Sequence, residues 1–220
     1  MKTISSFNKL LLVFLLFIAL LIGFRIFYSG TIRYIFMSWN IFLAWIPYAL
    51  SAYFRVYKQK QKWKQLFLFC SWFLFFPNAL YIVTDLVHLR TESTMPWWYD
   101  TVLIFSSAFV GLVMAFISLL RAESFLSSIV SKKAMLFLMP LILFISSFGV
   151  YLGRFQRWNS WDVVGNPLSL AYDIADKMMN PFDHYKVWVI TILFTVIYSL
   201  VFYFIKLMPR VVSEIKDARP

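Results

Sequence analysis

Residues 66–87 read LFLFCSWFLFFPNALYIVTDLV, and this stretch decides how the chain must fold. It is mainly apolar over about 20 residues, the length of helix that crosses a hydrocarbon core of about 30 Å. Its first four residues, Leu66 to Phe69, are all apolar, so the alternation typical of a barrel strand is absent. Backbone groups inside lipid must hydrogen-bond to one another, and a helix achieves this within one segment. The stretch therefore predicts a transmembrane α-helix.

The rest of the chain has the composition of a membrane protein. Its 220 residues are 61% hydrophobic, 21% aromatic and only 14% charged, and the mean hydropathy is +0.74. A soluble monomer of this composition would expose larger apolar patches than such proteins tolerate. Six apolar blocks are predicted to span the membrane: 10–28, 32–54, 66–87, 101–120, 135–153 and 187–207. The predicted fold class is therefore all-α, a polytopic transmembrane helical bundle of about six spans in a single domain.

The distribution of charge predicts the orientation of this bundle. With the N-terminus inside, the cytoplasmic segments carry 14 of the 21 basic residues and three of the ten acidic ones, which accounts for the whole net charge of +11. The positive-inside rule then favours both termini in the cytoplasm. The basic loop Lys58–Lys62 is interpreted as a topogenic, lipid-facing segment, which makes a nucleic-acid partner unnecessary. The first block follows Lys2 and Lys9, but its apolar stretch is longer than the apolar region of a typical signal peptide, so we expect an uncleaved span.

The longest connection between spans, 154–186, is too short for an independent domain. Within it, Leu170, Ile174 and Met178 have the spacing of an amphipathic helix, so an interfacial helix is predicted at 169–179. The single cysteine, Cys70, excludes a disulfide or a cysteine-based zinc site within one chain.

Polar residues concentrate on the predicted extracytoplasmic side. In the third span, Asn78, Tyr81, Asp85 and His88 recur at intervals of three, four and three, which predicts one polar face on a continuous helix. An ionisable residue such as Asp85 is costly in lipid, so we expect it to face the bundle interior or water and to find a partner there.

Two further segments on that side carry recognition residues. Trp98 and Asp100 precede the fourth span and are interpreted as an interfacial aromatic and a helix cap, or as part of a site. Arg154 and Arg157, three residues apart, would share a face if the fifth helix continued. They could grip a phosphate or carboxylate, or pair with Asp85 and Asp162; both interpretations stay open. The candidate ligand-binding residues are Asn78, Tyr81, Asp85, His88, Trp98, Asp100, Arg154, Arg157, Trp158, Asn159, Trp161 and Asp162.

The spacing of potential metal ligands gives no support to a metal site. His88 and His184, together with Asp85 or Asp183, would suffice in number for a catalytic zinc. The chain has no HExxH motif, no close histidine pair and no cysteine pair, and it lacks a nucleophile elbow, a P-loop and a GxGxxG fingerprint. No metal and no cofactor are predicted, and the sequence leaves open whether the protein is an enzyme.

The same segments resemble a known family. The carrying motifs are WN at 39–40, LAWIP at 43–47, FPNALYIVTDLVHL at 76–89, WYD at 98–100, YLGRF at 151–155 and RWNSWD at 157–162. Together they resemble a bacterial membrane-protein family known as domain of unknown function 1361, over about residues 30–205. The resemblance implies a multi-pass protein of the bacterial plasma membrane and marks the polar cluster as the family's motif region. It implies no reaction.

Three functions are compatible with the sequence. The first is binding of a polar or anionic ligand, such as a lipid headgroup, in an extracytoplasmic pocket lined by the candidate residues. The second is an intramembrane hydrolase or transferase on a lipid-linked substrate, with His88 or Asp85 as general base. The third is a structural or assembly role in which the cluster staples helix ends together. Membrane lipids are the expected partners, and protein partners cannot be named.

Overall fold

A computed structural model of the chain describes residues 2–55, 62–89 and 95–217. These residues form an all-α structure, which confirms the all-α, helical-bundle class predicted from the sequence. The α-helices are α1 (Lys2–Ser29), α2 (Phe36–Ala52), α3 (Lys62–Tyr81), α4 (Trp97–Leu126), α5 (Lys132–Gln156), α6 (Asp162–Gly165), α7 (Pro167–Met179) and α8 (Tyr185–Asp217), and two 3₁₀ helices follow α2 and α3 (Tyr53–Arg55 and Ile82–His88). Of the basic loop, Lys58 to Gln61 lie outside the described residues.

Five described helical segments are long and apolar enough to cross a membrane, and the chain is therefore a multi-pass membrane protein. They are Ser6–Ser29, Lys62–His88, Trp97–Leu126, Lys132–Gln156 and Tyr185–Asp217. These segments correspond to the first, third, fourth, fifth and sixth predicted spans.

The second predicted span is shorter than expected. It begins at Phe36 and gives α2 only 17 residues, continued by the 3₁₀ turn Tyr53–Arg55. The α-helical part rises about 25 Å and the turn adds about 6 Å, so only the two together match a hydrocarbon core of about 30 Å.

The chain divides into two compact units, Met1–Phe125 and Leu126–Pro220. The core of the first unit is aromatic. Trp72 of α3 is fully buried, its ring stacks on Phe76 at 4.8 Å between centroids, and its indole Nε1 donates to Ser118 Oγ of α4 at 3.3 Å. At another place in this unit, the Arg121 guanidinium donates to the Tyr48 carbonyl at 3.1 Å and lies 4.6 Å from the Tyr48 ring centroid. Helices α2, α3 and α4 are thus joined by ring packing and by polar side chains that find partners inside the unit.

The third span is not the continuous α-helix that the sequence predicted. The α-helix ends at Tyr81 and a seven-residue 3₁₀ helix, Ile82–His88, completes the segment. Ile82 is fully buried against Gly111 of α4, where a Cβ atom would overlap its Cγ2 methyl. A glycine at this point of α4 therefore permits the close approach of the two segments, as small residues do between membrane helices.

In the second unit, α5 and α8 pack against each other and α7 covers the end of that pair. Tyr151 and Leu152 near the C-terminus of α5 join Val187 in the first turn of α8 in a buried cluster, and Leu170 and Ile174 of α7 pack on it. Leu170 and Ile174, two of the three residues with the predicted amphipathic spacing, thus belong to the docked face of α7. The third, Met178, is 63% exposed.

Candidate functional site

The first unit contains a buried ion pair. Arg25 of α1 donates from Nε to Asp100 Oδ1 at 2.8 Å and from Nη2 to Asp100 Oδ2 at 3.3 Å. Both side chains are 2% exposed. The geometry is the two-bond fork that a guanidinium forms with a carboxylate. It joins α1 to the first turn of α4, where the sequence had suggested a helix cap or a ligand contact for Asp100.

The Arg25 guanidinium has further contacts. Its Nη1 donates to Thr31 Oγ1 at 3.2 Å, and its Cζ lies 4.3 Å from the centroid of the Tyr34 ring. The Tyr34 hydroxyl donates to the His88 carbonyl at 3.0 Å. Burial raises the pKa of Tyr34, and the nearby Asp100 carboxylate raises it further. The phenol therefore stays protonated and can act as a donor across the neutral pH range.

Asp85 is buried, as predicted, and it accepts a hydrogen bond from an amide. Asn40 Nδ2 of α2 donates to Asp85 Oδ2 at 2.7 Å. The partly buried His88 lies on the same 3₁₀ helix, with its ring edge-on to Phe36 at 5.2 Å between centroids. We call Arg25, Thr31, Tyr34, Asn40, Asp85, His88 and Asp100 the Arg25 cluster.

The other candidate residues of the first unit lie around this cluster. Asn78 donates to the Phe75 carbonyl of its own helix at 3.1 Å, Tyr81 is partly buried at the end of α3, and Trp98 is exposed. Four members of the cluster were not predicted as site residues: Arg25, Thr31, Tyr34 and Asn40. A charged residue inside an apolar block was the signal for Arg25, since such a residue must find a buried partner.

The second unit positions the remaining candidates, at the end of α5. The helix stops at Gln156, and Arg157 adopts a left-handed conformation with φ of 62°. In this conformation the backbone N–H of Arg157 donates a hydrogen bond to the Leu152 carbonyl. The helix therefore ends between Arg154 and Arg157, and the condition under which the two side chains would share a helical face is not met. Arg154 is partly buried on α5, whereas the Arg157 side chain is exposed.

The residues after Arg157 are held by a compact turn and by α7. Asp162 Oδ2 accepts from the Asn159 backbone N–H at 2.7 Å and from its Nδ2 at 3.3 Å. The indole Nε1 of Trp158 donates to Asp173 Oδ2 of α7 at 2.9 Å. Among the described residues, by contrast, the Arg157 guanidinium has no carboxylate or carbonyl partner. We call residues 154–162 the Arg157 segment.

The anchor on α7 was missed by sequence reasoning. Asp173 also receives Lys177 Nζ at 2.5 Å on its Oδ1, and Lys177 is 2% exposed. The signal was present as an acidic and a basic residue four positions apart, a spacing that brings side chains together on a helix. Asp173 therefore holds both a buried ammonium and the Trp158 indole, which fixes the Arg157 segment against α7.

A second polar contact closes α7 onto α8. Asp176 accepts from Asn180 Nδ2 at 2.9 Å and contacts His184 Nε2 at 2.8 Å. The Asn180 hydrogen bond, followed by that of His184, lowers the pKa of Asp176. Within residues 2–55, 62–89 and 95–217, no three His, Cys, Asp or Glu side chains are grouped to hold a metal ion.

The surface near the Arg157 segment is strongly apolar. On α7, Leu168 and Tyr172 are four residues apart and point away from the docked face, and Phe182 beyond the helix is 91% exposed. Phe155 and Trp161, which flank Arg157, are also exposed. An exposed cation in the second unit is thus surrounded by exposed aromatic and aliphatic side chains.

Comparison with known proteins gives a family but no activity. A search of curated proteins and a search of solved structures each returned no match. The family model described as "Protein of unknown function (DUF1361)" matches residues 39–201, which include the Asp85 region of the first unit and the whole Arg157 segment of the second. Because the match covers most of the chain, this multi-pass membrane protein belongs to the DUF1361 family.

Proposed function

We propose that this protein binds the anionic headgroup of a membrane lipid, or of a lipid-linked molecule, at the Arg157 segment. The carrying observation is that Arg157 is an exposed guanidinium with no acceptor among the described residues. Arginine is well suited to this role because its planar fork makes two parallel hydrogen bonds to a phosphate or carboxylate.

The backbone at Arg157 supports the same proposal. A non-glycine residue in the left-handed region costs about 1–2 kcal/mol. Such strain is often found where a side chain must be held in a functional position. Here the strained residue is followed at once by Trp158, whose indole is fixed by Asp173. The turn therefore presents the guanidinium from a rigid support, which lowers the entropy lost when a ligand is bound.

The surroundings favour a lipid over a soluble anion. Tyr172 and Phe182 would sit in the boundary layer between headgroups and acyl chains, where aromatic side chains are enriched. A headgroup on Arg157 would leave its acyl chains beside these side chains. The charge distribution of the whole sequence favours an extracytoplasmic location for this segment, and the family resemblance favours a bacterial plasma membrane.

The test is lipid binding by the purified full-length chain. Wild type and Arg157→Gln are reconstituted into nanodiscs with a zwitterionic phospholipid plus a minor anionic phospholipid, and bound lipid is counted by native mass spectrometry after release. We expect wild type to retain the anionic lipid and Arg157→Gln to lose most of it. Arg210→Gln, the same change at an exposed arginine of α8, is the matched control and should retain wild-type lipid content. Equal anionic lipid content in all three proteins would refute the proposal.

A second role is supported for the Arg25 cluster. Arg25 and Asp100 are nearly inaccessible and satisfy each other, and Asp85 has an amide partner. Mutually paired buried groups of this kind favour a structural function, which is to lock α1, α2 and the 3₁₀ helix to α4. This proposal predicts loss of stability when either member of the buried ion pair is replaced.

A further inference from the structure

Helices α5 and α8 carry three buried polar side-chain atoms that make no hydrogen bond with any described residue. They are Ser147 Oγ on α5 and Thr191 Oγ1 and Trp188 Nε1 on α8. The Ser147 and Thr191 residues are 0% exposed. A buried hydroxyl or indole N–H without a partner costs about 1–3 kcal/mol, so each such group in a folded protein calls for an explanation.

The positions of the three residues place them within about one turn of each other along the helix pair. The two helices are antiparallel, and Tyr151 and Val187 belong to one cluster between them. Ser147 is one turn before Tyr151 on α5, and Thr191 is one turn after Val187 on α8, so both lie one turn further from the cluster on matching faces. Trp188 is three residues from Thr191, and its ring stacks on Phe148, the neighbour of Ser147, at 5.7 Å between centroids.

Neighbouring hydroxyls show that these helices can satisfy such groups internally. Ser146 Oγ donates to the Ile142 carbonyl at 2.7 Å, and Thr195 Oγ1 donates to the Thr191 carbonyl at 2.6 Å. Both use the carbonyl four residues earlier, which is the usual solution for Ser and Thr inside a helix. Ser147 and Thr191 do not use it, so their hydroxyls are available to hydrogen-bond a bound molecule.

We propose that Ser147, Trp188 and Thr191 bind one water molecule between α5 and α8. The donor and acceptor set fits water: the indole only donates, whereas each hydroxyl both donates and accepts. Buried waters typically make about three hydrogen bonds to groups that would otherwise be unsatisfied. An occupant of this site must be small because Ser147 and Thr191 have no exposed surface.

The first experiment compares the melting temperature of full-length variants in lipid-free detergent. Thr191→Val and Ser147→Ala each remove one hydroxyl with little change of shape, and Ser146→Ala and Thr195→Val are the matched controls, whose hydroxyls bond to their own helices. A shared water predicts that each test variant melts lower than its control, and that the double variant loses less than the sum of the two single losses. Without an occupant, removing an unsatisfied buried hydroxyl should leave the melting temperature unchanged or raise it, and this result would overturn the proposal.

The second experiment is read on the wild-type protein, and a substitution is used only to assign the signal. In protein labelled with ¹⁵N-tryptophan, the Trp188 indole resonance is assigned by its disappearance in Trp188→Phe. A bound water predicts magnetisation transfer from water to the Trp188 indole proton in detergent without added lipid. Absence of that transfer, or transfer only after lipid is added, would overturn the proposal.

Discussion

The buried pair of Arg25 and Asp100 makes the sharpest prediction about stability. Removing one partner of a buried ion pair leaves an uncompensated charge and typically costs about 3–5 kcal/mol. Both side chains are 2% exposed and joined by two hydrogen bonds, so the upper part of this range applies. For a chain of this size, 1 kcal/mol lowers the melting temperature by about 2–4 °C. Asp100→Leu or Arg25→Met should therefore melt roughly 8–20 °C below wild type.

The assay is thermal unfolding of purified protein in detergent, followed by the fraction that still elutes as a monodisperse peak after heating. The double variant Arg25→Met with Asp100→Leu replaces the pair by apolar side chains, and such replacements are often neutral. It should recover most of the loss caused by either single change. Arg210→Gln alters an exposed arginine of α8 and serves as the control, with an expected change below about 2 °C. Single variants that melt with wild type, or a double variant that loses the sum of both, would refute the assignment of a structural role.

Two further predictions concern packing and pH. Gly111→Ala should destabilise the first unit by about 1–3 kcal/mol, because its Cβ would overlap Ile82; Gly23→Ala, where no atom lies within 4 Å, should leave the melting temperature unchanged or raise it. The hydrogen bonds of Asp176 lower its pKa, so their contribution to stability should be complete above about pH 4 and decline as the pH falls through the lowered value. An NMR titration of the Asp176 carboxyl carbon checks this, and a midpoint at or above that of an unperturbed aspartate would contradict it.

The sequence predicted spans well because lipid imposes length and hydrophobicity on every crossing helix, and these properties can be counted. It also predicted the burial of Asp85, since a carboxylate has no stable place in lipid. The identity of the partner was not predictable in the same way. Asn40 is 45 residues away and Arg25 is 75 residues from Asp100, so both pairings depend on how helices pack, which single-sequence periodicity does not encode.

The end of α5 could not be predicted from the sequence, for a local reason. The spacing of Arg154 and Arg157 would place them on one face only if α5 continued, and no proline or glycine stands between them to announce the end of the helix. The left-handed residue that ends α5 is an arginine, whereas glycine is the usual choice there. The helix predicted at 169–179, by contrast, corresponds to α7, Pro167–Met179, because Leu170 and Ile174 carry a periodic signal. Its position at the membrane interface stays a prediction.

The 3₁₀ helix at Ile82–His88 could change its length and the direction of its side chains by rewinding as an α-helix. A 3₁₀ helix rises about 2.0 Å and turns 120° per residue, against about 1.5 Å and 100° for an α-helix. Rewinding these seven residues as α-helix would shorten the segment by about 3.5 Å and rotate Asp85 by about 80° relative to Tyr81. Such a rotation would carry the carboxylate away from Asn40. The hydrogen bond that joins α2 to the third span thus depends on how this short segment is wound.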